Sequence, residues 1–412
     1  MNRVGIEKIN IYGSSLCLDQ QELALARGRD PERVLRDFHI NTRSLNPPYE
    51  DTVTMGANAA RAMLTEEDKK SIGMIIVGTE GSVDFGKPIS TNIQSALGLP
   101  NTIRSYETKH ACYSGVAALD TAVNWIASGL NKGKKALVIA ADFSRKHLGK
   151  DHEFVLGGSA AAILVSENPK ILEYETMKKG SYSNDVYDTF RPTARAEMGN
   201  NEVSLYSYQE AVEGAYNEYL AQIDGKIDSA EKFDSYFNWN IYHMPFPGMA
   251  LLGHRVVCKV SGLRKKSEIE ESFERKVLPS LHFAKRVGST YGGSNFVGLC
   301  GLLASAPVKD GDRIGFFSYG SGFMGEFYSG IVLPGAKEAI LKMGIGEAMD
   351  ARRQVSVAEY ERIENLRESY IENPDFVPDF SVADNWYKEH YEGKGYLVLK
   401  EVKDYYRRYE WS

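Results

Sequence analysis

The stretch Glu107-Thr108-Lys109-His110-Ala111-Cys112-Tyr113-Ser114-Gly115 leads straight into Val116-Ala117-Ala118-Leu119-Asp120-Thr121-Ala122-Val123-Asn124-Trp125-Ile126-Ala127. The second run is small-residued and mostly apolar with no clean polar face, which predicts a helix buried on nearly all sides. Cys112 then falls just ahead of that helix or in its first turn. Unpaired backbone N–H groups and the positive end of the helix dipole favour a thiolate there. Gly115 lets the backbone turn tightly or another chain come close. A buried structural cysteine fits the same spacing, so the stretch alone leaves both readings open.

Upstream, Val4 to Tyr12 alternates like a strand and ends in Gly13-Ser14-Ser15. The segment from there to Phe38 is helical in character and basic, with Arg27, Arg29, Arg33 and Arg36. Thr54 to Leu64 reads as a helix whose small residues permit close packing. Met74-Ile75-Ile76-Val77-Gly78 is a short buried strand that delivers Thr79-Glu80-Gly81-Ser82 at its C-terminal end. Sites in layered α/β folds are built at such ends, although a solvated loop acid also fits Glu80. Downstream, Ala136 to Ala141 and Ala160 to Val165 are continuous apolar runs suited to strands buried on both faces. Gly157-Gly158-Ser159 lacks the setting of a dinucleotide fingerprint. Strands and helices alternate through this half, which indicates a layered α/β architecture.

A second half opens near Lys170, giving units of 1–169 and 170–412. Asp185 to Pro192 and the tyrosine-rich Tyr206 to Tyr219 lead into an acidic helical region. His243 follows the aromatic, strand-like Asn238-Trp239-Asn240-Ile241-Tyr242, and Pro245 and Pro247 pin the loop after it. A histidine among aromatics is more often a satisfied core residue, and the catalytic reading stands beside that one. Gly288 to Ser294 is a glycine-rich turn before the small apolar helix holding Cys300. Ile314 to Phe317 is a strand running into Ser318-Tyr319-Gly320-Ser321-Gly322, whose glycines expose N–H groups of the kind an oxyanion site needs. From about Lys337 the chain reads as a helical and irregular appendage.

Composition sets outer bounds. The 412 residues suffice for two core-forming units or one large layered domain, and 43% hydrophobic with 25% charged residues is ordinary for a globular protein. A net charge of -6 argues against general nucleic-acid binding. No apolar run approaches the roughly 18 residues of a membrane span, and Met1 to Glu7 lacks a signal-peptide core. Cys17, Cys112, Cys258 and Cys300 show no spacing for disulfides or zinc, so the expected setting is a reducing cytoplasm.

Taken together, these motifs resemble the 3-hydroxy-3-methylglutaryl-CoA synthases of the thiolase superfamily over nearly the whole chain. The resemblance rests on Val4-Gly5-Ile6, Thr54 to Ala60, Thr79-Glu80, Ala111-Cys112-Tyr113 and Asp185-Val186-Tyr187-Asp188 with Arg191-Pro192-Thr193. His243-Met244-Pro245-Phe246, Phe317 to Gly322 and Val355-Ser356-Val357 extend it. It implies a thiolase-like five-layered αβαβα fold of two related halves and a homodimer. It implies an acyltransferase in which Cys112 takes an acetyl group from a thioester, with the oxyanion held by N–H groups near Cys112 and Ser321. Glu80 would remove a methyl proton, and the carbon would add to the β-ketone of a second thioester polarised by His243. Tyr113, Ser289 and Ser321 are the implied oxyanion and acceptor-site residues. No metal or tightly bound cofactor is implied; the substrate arm is phosphopantetheine, on an acyl carrier protein or in coenzyme A.

Departures from the family pattern narrow the choice. Gly248 stands where the family carries a lysine suited to CoA phosphates, and Ser289 where it carries an asparagine. The run Lys109 to Gly115 is closer to the synthase-like enzymes that install β-branches on polyketide intermediates. That subgroup implies two partners, an acetyl donor carrier protein and a β-ketoacyl acceptor carrier protein. Both are acidic, so Arg33, Arg264, Lys265 and Lys266 are docking candidates. A primary-metabolic synthase using acetyl-CoA and acetoacetyl-CoA, or a non-catalytic carrier-binding scaffold, are the alternatives.

Overall fold

A computed structural model describes residues 3–412; Met1 and Asn2, at the head of the leading segment read above, lie outside the described residues. Nine strands share one mixed sheet system: β1 (Gly5–Tyr12), β2 (Ile72–Gly78), β3 (Arg104–Thr108), β4 (Lys135–Phe143), β5 (Gly158–Ser166), β6 (Leu172–Ser183), β7 (Trp239–Tyr242), β8 (Arg313–Gly320) and β9 (Met324–Val332). Their spatial order is β7-β8-β9-β6-β1-β5-β4-β2-β3. The strands of the two halves pair where Gly5 and Ile6 meet Glu173 and Leu172. On one side of that seam β1, β5 and β4 run antiparallel in turn and β4 is parallel to β2. On the other side β6, β9 and β8 run antiparallel in turn and β8 is parallel to β7. The two halves thus repeat one four-strand pattern, and β3 extends the first as a free edge.

Helices α1 (Thr52–Arg61), α2 (Ser114–Ala127), α3 (Asn201–Ala221), α4 (Met249–Val260) and α5 (Ser294–Ser305) supply the layers. α1 covers the outer face of β1, β4 and β5, while α3 covers β6 and β9. α2 touches β2, β4 and β6, and α5 touches β7, β8 and β1, so each lies between the halves. The result is helix, sheet, helix, sheet, helix. The apolar runs explain it, because successive strand residues point to opposite faces. Ala136, Val138 and Ala140 enter the central core, whereas Leu137, Ile139 and Ala141 pack outward beneath α1.

The regions outside these layers correct the sequence reading. The segment before Phe38 is not wholly helical: Leu16–Asp19 is a strand paired with Thr42–Leu45, followed by helices Gln20–Ala26 and Pro31–Phe38. The C-terminal part is not a loose appendage. Arg353–Gln354 joins Leu16–Cys17 as a third strand, and Leu397–Lys403 with Tyr406–Trp411 forms a hairpin. The Asn58 amide binds the backbone of Leu397 in both directions, at 2.7 and 3.2 Å, tying that hairpin to α1. No helix among the described residues is long and apolar enough to cross a membrane.

Candidate active site

β3 ends at Thr108, and a tight turn with Ala111 at φ 43° carries Cys112 to the start of α2. A non-glycine residue in the left-handed region is strained, and such strain collects at functional turns. β2 and Thr79 bring Glu80 alongside: the Cys112 thiol donates to Glu80 Oε1 at 3.1 Å. The expected thiolate is not what this geometry favours. Burial, and then the Glu80 carboxylate, push the Cys112 thiol well above its ordinary range. The first-turn amides do not offset this. Those of Tyr113 and Ser114 already donate to His110 and Ala111 carbonyls. The resting pair is a thiol on a carboxylate.

Two residues that the sequence reading missed hold Glu80. Asp142, at the end of β4, accepts from the Thr79 hydroxyl at 2.8 Å, the Glu80 amide at 2.9 Å and the Gly81 amide at 3.1 Å. Burial and the Glu80 charge push its carboxyl above the ordinary carboxylate range. Arg191 lies with Nε 3.8 Å from Glu80 Oε2 and donates from Nη1 to the Glu80 carbonyl at 3.2 Å. An acid ending an otherwise apolar strand was the visible sign of Asp142; Arg191 was visible only as part of a family motif.

His243 stands at the end of β7, its amide on the Phe317 carbonyl at 2.7 Å and its own carbonyl accepting from the Tyr208 hydroxyl at 2.9 Å. Its Nδ1 is 2.7 Å from Ser294 Oγ at the head of α5. Burial lowers its pKa to about 3, so the ring is neutral. A neutral ring with Nδ1 on the serine can present Nε2–H as a hydrogen-bond donor. Tyr319 on β8, 6.4 Å from the imidazole between ring centroids, links it to the turn holding Ser321. That turn presses on the cysteine turn, since a Cβ on Gly320 would stand 2.4 Å from the His110 carbonyl oxygen. Buried Asp188 fixes the same turn, accepting from the Tyr319 hydroxyl at 2.6 Å and the Gly322 amide at 2.9 Å.

The remaining candidates divide. Tyr113 follows Cys112, and its hydroxyl donates to Glu326 Oε2 at 2.9 Å. Ser289 is buried with its amide on the Val155 carbonyl, and none of its described contacts reach Glu80, Cys112 or His243. Arg33, Arg264, Lys265 and Lys266 are all exposed. Arg33 pairs with Asp37, Lys265 with Glu268 and Lys266 with Glu270. Arg27, in the basic segment, is a structural cation, forked onto Glu153 at 2.8 and 2.9 Å and paired with Glu361. At Gly248 an added Cβ would stand 2.6 Å from the Asp37 carbonyl oxygen, so helix Pro31–Phe38 closes the place of the missing lysine. Among the described residues no cluster of His, Cys, Asp and Glu has the form of a metal site.

A cysteine on a carboxylate, with a neutral buried histidine across the seam of a thiolase-like fold, defines a condensing acyltransferase. The sequence matches the N-terminal and C-terminal profiles of hydroxymethylglutaryl-coenzyme A synthase over residues 1–169 and 262–411. It is 35% identical to the polyketide biosynthesis 3-hydroxy-3-methylglutaryl-ACP synthase PksG of Bacillus subtilis, with both chains covered in full. It is 34% identical to the hydroxymethylglutaryl-CoA synthase of Enterococcus faecalis over 87% of this chain and 90% of that one. The HMG synthase of the curacin biosynthetic pathway, solved alone and in complex with acetyl donor-ACP, superposes over both full chains with a TM-score of 0.93 at 36% identity. The chain belongs to the hydroxymethylglutaryl-CoA synthase family.

Proposed function

We propose that this protein condenses an acetyl group, carried on Cys112, with the β-ketone of a carrier-bound β-ketoacyl thioester. The product is a β-hydroxy-β-carboxymethyl chain of the kind that leads to a polyketide β-branch. The observation that carries the chemistry is the 3.1 Å contact of Cys112 with Glu80, since a base touching the sulfur also faces an acetyl methyl placed on it. Cys112 attacks the donor thioester and expels the carrier thiol. Glu80 takes a proton from the acetyl methyl, and the freed electron pair attacks the ketone carbon. Nε2–H of His243 stabilises the ketone oxygen as it gains negative charge, and the proton that Glu80 took from the methyl completes the hydroxyl, returning Glu80 to its carboxylate. Water then cleaves the Cys112 thioester, freeing the enzyme and leaving a carboxylate on the product. The oxyanions fall to the amides of Cys112 and Ser321 themselves, because those of Tyr113, Ser114 and Gly322 are already spent.

Carrier delivery is favoured over free CoA by the position of Gly248, where no side chain fits to meet the nucleotide end. The relatives named as a 3-hydroxy-3-methylglutaryl-ACP synthase and as a complex with donor-ACP point the same way. The free edge of β3 offers a surface for the second copy of a homodimer. Intact-protein mass spectrometry tests the reading. Acetyl-carrier protein should add about 42 Da, one acetyl group, to the wild type and nothing to Cys112→Ala. An unchanged adduct on the variant moves the nucleophile elsewhere.

A further inference from the structure

Arg191 is an arginine sealed against the general base. Its side chain is 13% exposed and stands over the Tyr291 ring at 5.6 Å. Its guanidinium lies between two carboxylates, Nη2 2.9 Å from Glu197 Oε2 and Nε 3.8 Å from Glu80 Oε2. Nη1 separately takes the Glu80 backbone carbonyl. The other charged groups near it are Asp142, which shares the Glu80 loop, and Arg145, which has no hydrogen bond or ion pair among the described residues. The short pairing of Thr189–Phe190 with Met198–Gly199 carries both Arg191 and Glu197. Arg195, between them, is latched to Glu368 and Glu372 at the end of helix Val357–Tyr370.

Glu80 therefore has its two oxygens assigned to different neighbours. Oε1 faces the cysteine sulfur and Oε2 faces the guanidinium, while the backbone beneath is held from both sides. A carboxylate side chain on a loop otherwise turns through several rotamers, most of which take Oε1 away from the acetyl methyl. We propose that Arg191 is a positioning residue for the condensation step, fixing Glu80 so that Oε1 alone is presented to the acetyl group on Cys112. This rests on the reading of Cys112 as nucleophile and Glu80 as base. It assigns Arg191 no contact with substrate. Its effect falls on proton removal, where a misplacement of about 1 Å costs on the order of 10²-fold, and far less on acylation.

The two steps separate in deuterated water. Without an acceptor, Glu80 removes a methyl proton from acetyl-Cys112 and the enolate takes back a deuteron, so label accumulates in the acetyl group. The wild type, Arg191→Ala, Arg191→Lys and Cys112→Ala are each incubated with acetyl-carrier protein and followed by mass spectrometry for loading and for deuterium. Arg191→Ala should load within about threefold of wild type yet exchange roughly 10²-fold slower. Arg191→Lys, with a charge but without the guanidinium's spread of N–H groups, should fall between. Millimolar guanidinium chloride should restore part of the exchange to Arg191→Ala, which a merely structural loss does not allow. Exchange within twofold of wild type in Arg191→Ala, or loading and exchange falling together without rescue, overturns the proposal. A wild type that never loads, or a Cys112→Ala that does, instead sinks the underlying assignment, and the proposal with it.

Discussion

Cys112 and Glu80 hold each other in check, because the carboxylate proposed as base adds to burial in keeping the thiol protonated. Removing the charge should free the sulfur. Glu80→Gln should be alkylated by iodoacetamide at pH 8 roughly three- to tenfold faster than wild type, because the thiolate forms at lower pH. The same variant should lose condensation by about 10²-fold or more. An alkylation rate no faster than wild type would show that the carboxylate does not govern the sulfur. A second buried acid carries a stability signature. Burial, then Asp120, push Glu326 up from 4.5 to about 7. The folded chain holds that proton where an unfolded glutamate has released it, so stability falls as pH rises from about 4.5 through about 7. Glu326→Gln cannot ionise; it should match wild type near pH 5 and exceed it by a few kcal/mol near pH 8, on the order-of-magnitude scale of such shifts. Urea denaturation at the two pH values measures this, and a gap that does not change with pH contradicts it. At this scale the sequence picked out Glu80, Cys112 and His243 as candidates, since each follows a strand within a motif. It did not reveal Arg191 or Ser294, whose roles are contacts between distant segments.

Elements decide what those residues can meet. Strands β2, β4 and β5 were legible because they are buried on both faces and so apolar without interruption. The C-terminal strands were not: Leu397–Lys403 and Tyr406–Trp411 mix charges and aromatics, and Arg353–Gln354 is a strand only through Leu16 and Cys17. Their identity comes from tertiary pairing, which local pattern does not encode. Helix Pro31–Phe38 has a comparable hidden role. Its last turn accepts the Gly248 amide at the Phe38 carbonyl, and the Phe38 ring meets Phe246 edge-on at 5.4 Å. Gly248→Lys therefore cannot simply restore the family's lysine. The new Cβ must displace backbone at Asp37, costing about 1–3 kcal/mol as overpacking does. Melting should fall by several degrees while acetyl-CoA loading fails to rise. A variant as stable as wild type that gains CoA activity would mean this element yields readily, and that the glycine is not what disfavours CoA.

Over the whole molecule, the repeated halves put Cys112 and Glu80 on the first and His243 on the second, with α2 and α5 filling the space between. The same arrangement places the docking candidates. Arg33 lies on the helix that closes on the loop after His243, and Arg264 and Lys265 lead into helix Lys266–Lys276, packed on α4, which Gly248 immediately precedes. Both cationic groups thus flank the element leading from His243, despite a net charge of -6. Their present partners, Asp37, Glu268 and Glu270, form exposed pairs of the kind worth little, so an incoming acidic carrier can replace them at small cost. Charge reversal at Arg33 or Arg264 should slow acetylation by acetyl-carrier protein about three- to tenfold at low salt. It should affect acetyl-CoA much less, because only the carrier brings an acidic surface. The deficit should shrink as salt shortens the range of the attraction, which marks an encounter effect rather than a damaged site. Stopped-flow or quenched loading assays across a salt series measure both donors. Equal slowing of both at every salt concentration would place these residues in the fold or the arm's path, and a wild type loaded as fast by acetyl-CoA as by any carrier would favour the primary-metabolic reading.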